Sequence, residues 1–410
     1  MTNTTIELLA EAKARQSQTV ELRRRIHMLP ELGNELPETK AVVLDAIAGL
    51  DLEVRESTQT SGVVATLRGG RPGKMILLRG DMDALPMQEE TGLDYASKIE
   101  GRMHSCGHDA HTSMLATAAH MLCGHRDRLK GDIKFMFQPG EEGFKGAKIM
   151  LDEGIIAEGG EPDAVFGMHV DPRRATGIIG GREGNALAAA DTYHIKIIGV
   201  GGHAARPHDS NDPVPVACHV VTALQTAVTR KFNVWDPIIL TVGKIAAGTK
   251  SNIIPEFADM SITLRSFSDQ ARDLAERTIC MIATKTAEAH DMTAEVKVVK
   301  GYPATVNDGD FVDLVESTVL KTFGQGAFAR DADPRMGSED FSYILQRYPG
   351  AFVFLGCAPK GVNPDGAPGN HSPYMMIDED AMAMGAATHA AVAFEFLNGG
   401  VGGGVGGGVE

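Results

Sequence analysis

Long apolar runs, basic clusters and paired cysteines are all scarce in this chain, and each scarcity removes a class of protein. The densest apolar stretches, such as residues 114–123, are shorter and more interrupted than the roughly 20 apolar residues a bilayer-spanning helix needs, so no membrane passage is expected. Lysine and arginine number 39 against 54 aspartates and glutamates, a formal net charge of −15. Phosphate backbones are held by clustered cations, and no such cluster occurs, which argues against nucleic acid as a partner. Five cysteines scattered over 410 residues make no disulfide framework. Cys123, Cys218 and Cys280 sit in helical apolar patterns and read as small buried hydrophobes, whereas Cys106 lies among histidines. Residues 1–18 read as a polar-faced helix around Ile6, Leu8 and Leu9, without the basic start and apolar core of a secretion signal, so the cytoplasm is the expected location.

What is present is ordinary globular composition, 43% hydrophobic, in a chain long enough for two or three domains. From 75 to 170, short β-rich runs (75–78, 133–137, 164–170) alternate with helical stretches (112–123, 146–153), which predicts a three-layer α/β unit around a mostly parallel or mixed sheet. From 191 the order changes to strand 192–198, helix 213–230, strand 237–245, strand 256–266, helix 270–290 and strand 293–300, the β-α-β-β-α-β order of a ferredoxin-like α+β unit. After Tyr302 the α/β rhythm returns, with a strand at 352–354 and a closing helix at 378–397. The second unit is thus inserted into the first: 1–186 and 303–398 are two parts of one domain and 187–302 the insert. The valine-and-glycine repeat 399–410 reads as a flexible tail.

The densest chemical signal is Met103-His104-Ser105-Cys106-Gly107-His108-Asp109-Ala110-His111, placed just before an apolar helix. In an extended segment a thiolate and an imidazole two residues apart leave the same side and can reach one ion, so Cys106 and His108 read as a metal pair. The alternative is a polar loop whose histidines cap the helix, and His104 and His111 are left between a supporting and a structural role; His120 and His125 read as structural or exposed. Further on, Gln138-Pro139-Gly140-Glu141-Glu142 carries a strand through a turn and delivers adjacent carboxylates at a helix start. Such a pair can be a solvated helix N-terminus; beside a metal, Glu142 is assigned as ligand and Glu141 as base.

Other candidates are weaker one by one. His169 ends the apolar run Ala164-Val165-Phe166-Gly167-Met168, and His371 lies in the loop Gly369-Asn370-His371-Ser372-Pro373; each alone reads as a core residue or a turn. Asp81 and Asp83 follow the strand at 75–78 and present both carboxylates on one side, Asp83 being suited to orient a ligand histidine. In the insert, Gly199-Val200-Gly201-Gly202-His203 is no dinucleotide fingerprint, but its glycines could aim His203 at a reacting oxygen. Asn252 and Arg265 could receive a carboxylate, or be ordinary loop and strand-end residues.

Taken in order, from Arg24-Arg25-Ile26-His27-Met28-Leu29-Pro30-Glu31-Leu32 to Asn370-His371-Ser372-Pro373, these segments resemble the metallopeptidase superfamily of carboxypeptidase G, aminoacylase and succinyl-diaminopimelate desuccinylase, and within it the hippurate hydrolase and indole-acetyl-amino-acid hydrolase branch. The resemblance implies that Cys106, His108, Glu142, His169 and His371 hold two divalent ions, zinc or manganese, and that Glu141 is the general base. It implies that the insert is a lid and dimerisation domain whose His203 reaches the site of a partner subunit, in a homodimer or higher homo-oligomer. Asn252 and Arg265 fall on positions that hold the substrate carboxylate, and Met336-Gly337-Ser338-Glu339-Asp340-Phe341 on a segment lining the cleft, with Gly337 among the substrate-binding positions. The chain departs from the wider superfamily in carrying Asp81-x-Asp83 where many relatives have His-x-Asp, so Asp81 is not assigned as a ligand.

The expected activity is hydrolysis of the amide bond of N-acyl amino acids. The alternatives are a di- or aminopeptidase, and a non-catalytic binding protein on the same fold. Neither acyl group nor side-chain preference is legible, because pocket shape decides them.

Overall fold

The computed structural model describes residues 4–399 and divides into two compact units. Among the described residues, the first comprises 4–186, 306–333 and 340–399, the second 187–305 and 334–339. The glycine-rich tail, apart from Gly399 at the end of the last helix, lies outside the described residues.

In the first unit an eight-stranded sheet runs in the order Glu53–Glu56, Val63–Leu67, Lys130–Gln138, Arg71–Asp81, Ala164–Asp171, Gly350–Gly356, Ile179–Gly181, Phe328–Arg330. The four central strands, from Lys130–Gln138 to Gly350–Gly356, are mutually parallel, while Val63–Leu67 and Ile179–Gly181 pair antiparallel on either side of them. The sheet is therefore mixed, with a parallel centre.

Both faces of that centre are covered, which is why its strands read as unbroken apolar runs instead of alternating. Phe166 meets Phe311 of the helix Gly309–Phe323 and His389 of the helix Ala381–Gly399. Its neighbour Gly167 points to the opposite face, where a side chain would collide with Phe341 and Phe352. This gives the three-layer α/β architecture that the sequence pattern predicts.

The second unit is a four-stranded antiparallel sheet, in the order Ile239–Ala247, Phe257–Ser266, Ala189–Ile198, Thr293–Lys300, with the helices Pro213–Lys231 and Asp269–Glu288. Here the alternation is clean: Tyr193, Ile195 and Ile197 are buried while His194 between them is exposed. Asp212 and Ser268 cap the two helices by accepting from Val214 N–H and Ala271 N–H. This is the ferredoxin-like insert expected from the sequence.

Local corrections have physical causes. The N-terminal helix is two helices, Thr4–Ala14 and Gln16–His27. Cys218 is exposed and Cys123 and Cys280 are half-buried, so these three are not core residues; they lie on flanks of amphipathic helices, where an apolar pattern alone does not specify depth. Cys357, at the end of a central strand, is the buried structural cysteine.

Candidate metal centre

Side chains that could carry chemistry gather where the parallel strands end. Asp81 ends the strand Arg71–Asp81 and Asp83 follows it, Glu141 and Glu142 follow Lys130–Gln138, His169 lies two residues before the end of the strand Ala164–Asp171, and the loop of His371 follows Gly350–Gly356. Four adjacent strands at about 4.8 Å spacing bring their C-terminal ends within roughly 15 Å, and such ends are where sites in α/β sheets form. Cys106 and His108 are supplied by the start of the helix His108–Gly124.

That segment is not the extended one expected from the sequence. His108 is the first helical residue, and Gly107 before it has φ of +88°. A side chain at Gly107 would come within 2.3 Å of Val170 Cγ2, so both the left-handed turn and the close approach require glycine. The thiol and the imidazole are brought together by a tight turn. Nor do Glu141 and Glu142 begin a helix: they form a turn before the helix Gly146–Glu153. The Asp83 carboxylate accepts from both of their N–H groups, at 2.9 Å and 3.0 Å, and so holds that turn in place of helical hydrogen bonding.

The sulfur of Cys106 lies 3.3 Å from His169 Nε2. Glu142 Oε1 lies 3.0 Å from His371 Nε2. Potential donor atoms of Cys106, His108 and His169 lie within 4.8 Å of one another, as do those of Cys106, Glu142 and His371, and those of His108, Glu141 and Glu142. All five residues named as ligands, and the one named as base, are thus in one place, with Cys106 common to two groups.

Hydrogen bonds identify which atoms remain open. His169 Nδ1 donates to Val170 O at 2.7 Å, which leaves the Nε2 lone pair directed at Cys106. His111 Nε2 accepts from Val170 N–H at 2.8 Å, so its proton is on Nδ1, which donates to Asp81 Oδ1 at 2.5 Å. Both nitrogens of His111 are therefore hydrogen-bonded, and potential donor atoms of His111, Asp81 and His108 also lie within 4.8 Å of one another. Asp81 is held on its other oxygen by Arg79 Nη1 at 2.7 Å. Both nitrogens of the fully buried His108 make no hydrogen bond, with Asp81 and Asp83 oxygens each 3.4 Å away.

Charge in the cluster is unbalanced toward the negative. Burial opposes protonation of His108, yet Asp81, Cys106 and Asp83 hold its imidazole well above the ordinary range. Hydrogen bonds to Cys106 and Glu142 push His371 up to about 10. Burial and the neighbouring Glu142 raise the Cys106 thiol, whereas burial and His111 drive His169 well below the usual histidine value. A soft thiol, imidazoles and a carboxylate, in a setting that favours positive charge, suit a divalent cation.

His371 has φ of +66°, uncommon outside glycine. Its N–H donates to Ser105 O at 2.8 Å, and Asn370 Nδ2 donates to Cys106 O at 3.0 Å, so the last loop is stitched to the cysteine turn. Asn370 is one functional residue that sequence reasoning missed. Arg79 is another: buried in the strand core, it binds Gln138 Oε1 at 2.8 Å besides Asp81. An arginine within an apolar strand run was the available signal, since a buried cation needs an anion.

The remaining candidates belong to the second unit. His203, exposed, is in the short strand Gly202–His203 paired with Ile253–Ile254, and its Nδ1 accepts from Ala205 N–H at 3.1 Å. Asn252, also exposed, receives Ala204 N–H on its carbonyl at 3.2 Å. Arg265, half-buried, donates to Ser338 Oγ at 3.1 Å, and Gly337 O accepts from Ala188 N–H at 2.9 Å.

Comparison with known proteins supplies three findings. The model of the family described as Peptidase family M20/M25/M40 matches residues 77–395. Thermostable carboxypeptidase 1 of Saccharolobus solfataricus is 36% identical over 386 residues, covering 92% of this chain and 95% of its own, and IAA-amino acid hydrolase ILR1-like 2 of Arabidopsis thaliana is 38% identical over 382 residues, covering 92% and 85%. A dinuclear metal-binding peptidase of the M20 family from Bacillus subtilis superposes with a TM-score of 0.81 at 31% identity, over 94% of this chain and 99% of that one.

Proposed function

The chain belongs to peptidase family M20/M25/M40, and from that premise we propose that it is a metal-dependent amidohydrolase that splits N-acyl amino acids, hippurate-like, N-acetyl or related conjugates, into a carboxylic acid and a free amino acid. The observation that carries this reading is the convergence of Cys106, His108, Glu142, His169 and His371 with Glu141 beside them. These five would hold two divalent ions, zinc or manganese; the thiol favours zinc and the carboxylate is compatible with either. When bound, the ions supply Lewis acidity that polarises the amide carbonyl and makes water a better acid.

Glu141 takes the proton of the attacking water and returns it to the departing amine, a role suited to a buried carboxylate next to the cation site. Asp83 holds Glu141 and Glu142 in the geometry that separates base from ligand. His203 stabilises the oxyanion: with Nδ1 occupied as an acceptor, its proton is on Nε2, available to donate. In this reading it acts on the site of a second copy, which makes a homodimer the functional unit. Arg265 and Asn252 hold the substrate carboxylate, and Gly337 is a further substrate-binding position. The enzyme works in a reducing cytoplasm, in keeping with five free cysteines; among the described residues no helix is long and apolar enough to cross a membrane.

A panel of hippurate, N-acetyl amino acids and an unblocked dipeptide, assayed before and after chelation, tests the proposal. The expected result is turnover of the acylated substrates that chelation removes and zinc or manganese restores. Cleavage of the dipeptide alone would favour the peptidase reading, which the relative named a carboxypeptidase supports; metal-independent turnover would overturn the mechanism.

A further inference from the structure

Next to His108 in sequence, Asp109 faces away from the proposed ions, into a buried set of charges. Its Oδ2 accepts from Arg23 Nε at 3.0 Å and from His27 Nδ1 at 2.7 Å. His27 Nε2 reaches Glu89 Oε1 at 3.3 Å, so this imidazole has a carboxylate at each nitrogen. Arg23 Nη1 donates to Glu379 Oε1 at 2.8 Å, and Arg23, His27, Glu89 and Asp109 are all buried.

The connections of this set run to two of the ligand-bearing segments. Asp109 continues the turn of Cys106 and His108. Glu89 Oε2 accepts from Ser97 N–H at 2.7 Å and fastens the irregular segment 86–102, whose Glu90 N–H donates to Pro373 O at 2.9 Å, two residues beyond His371. Glu379, on the same return segment as His371, closes the circuit through Arg23. Replacing buried ion pairs by apolar side chains is often neutral or stabilising, so stability alone is a weak reason for four such groups here.

We propose that the Arg23–Asp109–His27–Glu89 network is a positioning device for the metal centre, fixing the turn of Cys106 and His108 against the loop of His371. The inference rests on the proposed metal site and assigns to it residues that touch neither ion nor substrate. Groups hydrogen-bonded directly to metal ligands change metal affinity by about 10- to 100-fold when removed; this network acts one step further out, through the backbone of the ligand-bearing segments, so the lower end of that range is expected.

The test is the zinc dissociation constant of the full-length protein at neutral pH, measured by chelator competition, together with the cobalt(II)–thiolate absorption of the cobalt-loaded form. His27→Leu is expected to weaken zinc binding by about 10-fold and to shift the cobalt band, and His27→Asn, which keeps a donor for Asp109, to recover most of the loss. Should His27→Leu fail to fold, Glu89→Gln gives a smaller shift in the same direction. If wild-type protein binds zinc tightly and the variants bind equally well while only their unfolding midpoints fall, the network is structural and the inference is overturned. Wild-type protein that binds no zinc or cobalt overturns the metal reading itself.

Discussion

Cys106 Sγ and His169 Nε2 stand 3.3 Å apart, although one comes from a helix start and the other from the end of a strand. Burial, with Glu142 beside it, keeps such a thiol protonated, so a cation is what would make it a thiolate. Cys106→Ser is therefore expected to lose bound metal and to abolish the cobalt(II)–thiolate band, measured by elemental analysis after dialysis. Full metal content with the native spectrum would remove the sulfur from the donor set.

Glu141→Gln keeps the shape of the turn and removes the base. Turnover should fall by about 10²- to 10⁴-fold with metal content unchanged, as read from steady-state kinetics beside elemental analysis. Near-native kcat would transfer the proton to another group.

Asp83 accepts two backbone N–H groups, so Asp83→Ala leaves both without their partner. Each buried donor left unpaired costs about 1–3 kcal/mol. Urea denaturation should report a loss of about 2 kcal/mol or more, and kcat should drop because Glu141 and Glu142 lose their fixed relation. Unchanged stability would show that the turn holds itself.

His389 sits in the core against Phe166, neither ring nitrogen makes a hydrogen bond, and burial lowers its pKa to about 3. A folded value below the unfolded one, near 6.5, means that the neutral form is favoured by folding. Its contribution to stability is full above about pH 6.5 and is lost as pH falls toward 3. At pH 5 the loss is about 2 kcal/mol. His389→Leu should remove that part of the acid sensitivity, so that the gap between variant and wild-type denaturation midpoints changes in favour of the variant on going from pH 7.5 to about pH 5. A constant gap would show that the group titrates normally.

His203→Ala should reduce turnover and leave both ions in place, because the residue lies outside the donor set. Retained wild-type kcat would take it out of the mechanism. Mixing His203→Ala with Glu141→Gln protein should restore part of the activity if each site takes its histidine from the other copy; no recovery in mixed dimers would put the residue on its own chain.

Much of the fold was legible because periodicity is a local property. The strand at 164–170 and the helix at 146–153 appear with those limits or nearly so, since an apolar run and a 3.6-residue period each report their own segment. The depth of Cys218 was not legible: a helix flank and a helix core can carry the same apolar pattern, and the neighbours that cover one come from elsewhere in the chain.

The same division holds for the site. Sequence alone determined the donor types, the adjacency of Glu141 to Glu142 and the crowding of Cys106, His108 and His111, because covalent order limits how far apart such groups can be. Only the tertiary structure decided that Asp83 holds the glutamate turn, that His111 is hydrogen-bonded to Asp81 and Val170, and that His371 meets Glu142. The reason is that a hydrogen bond depends on distance and direction between atoms, and those atoms become neighbours only when four parallel strands lie side by side and end together.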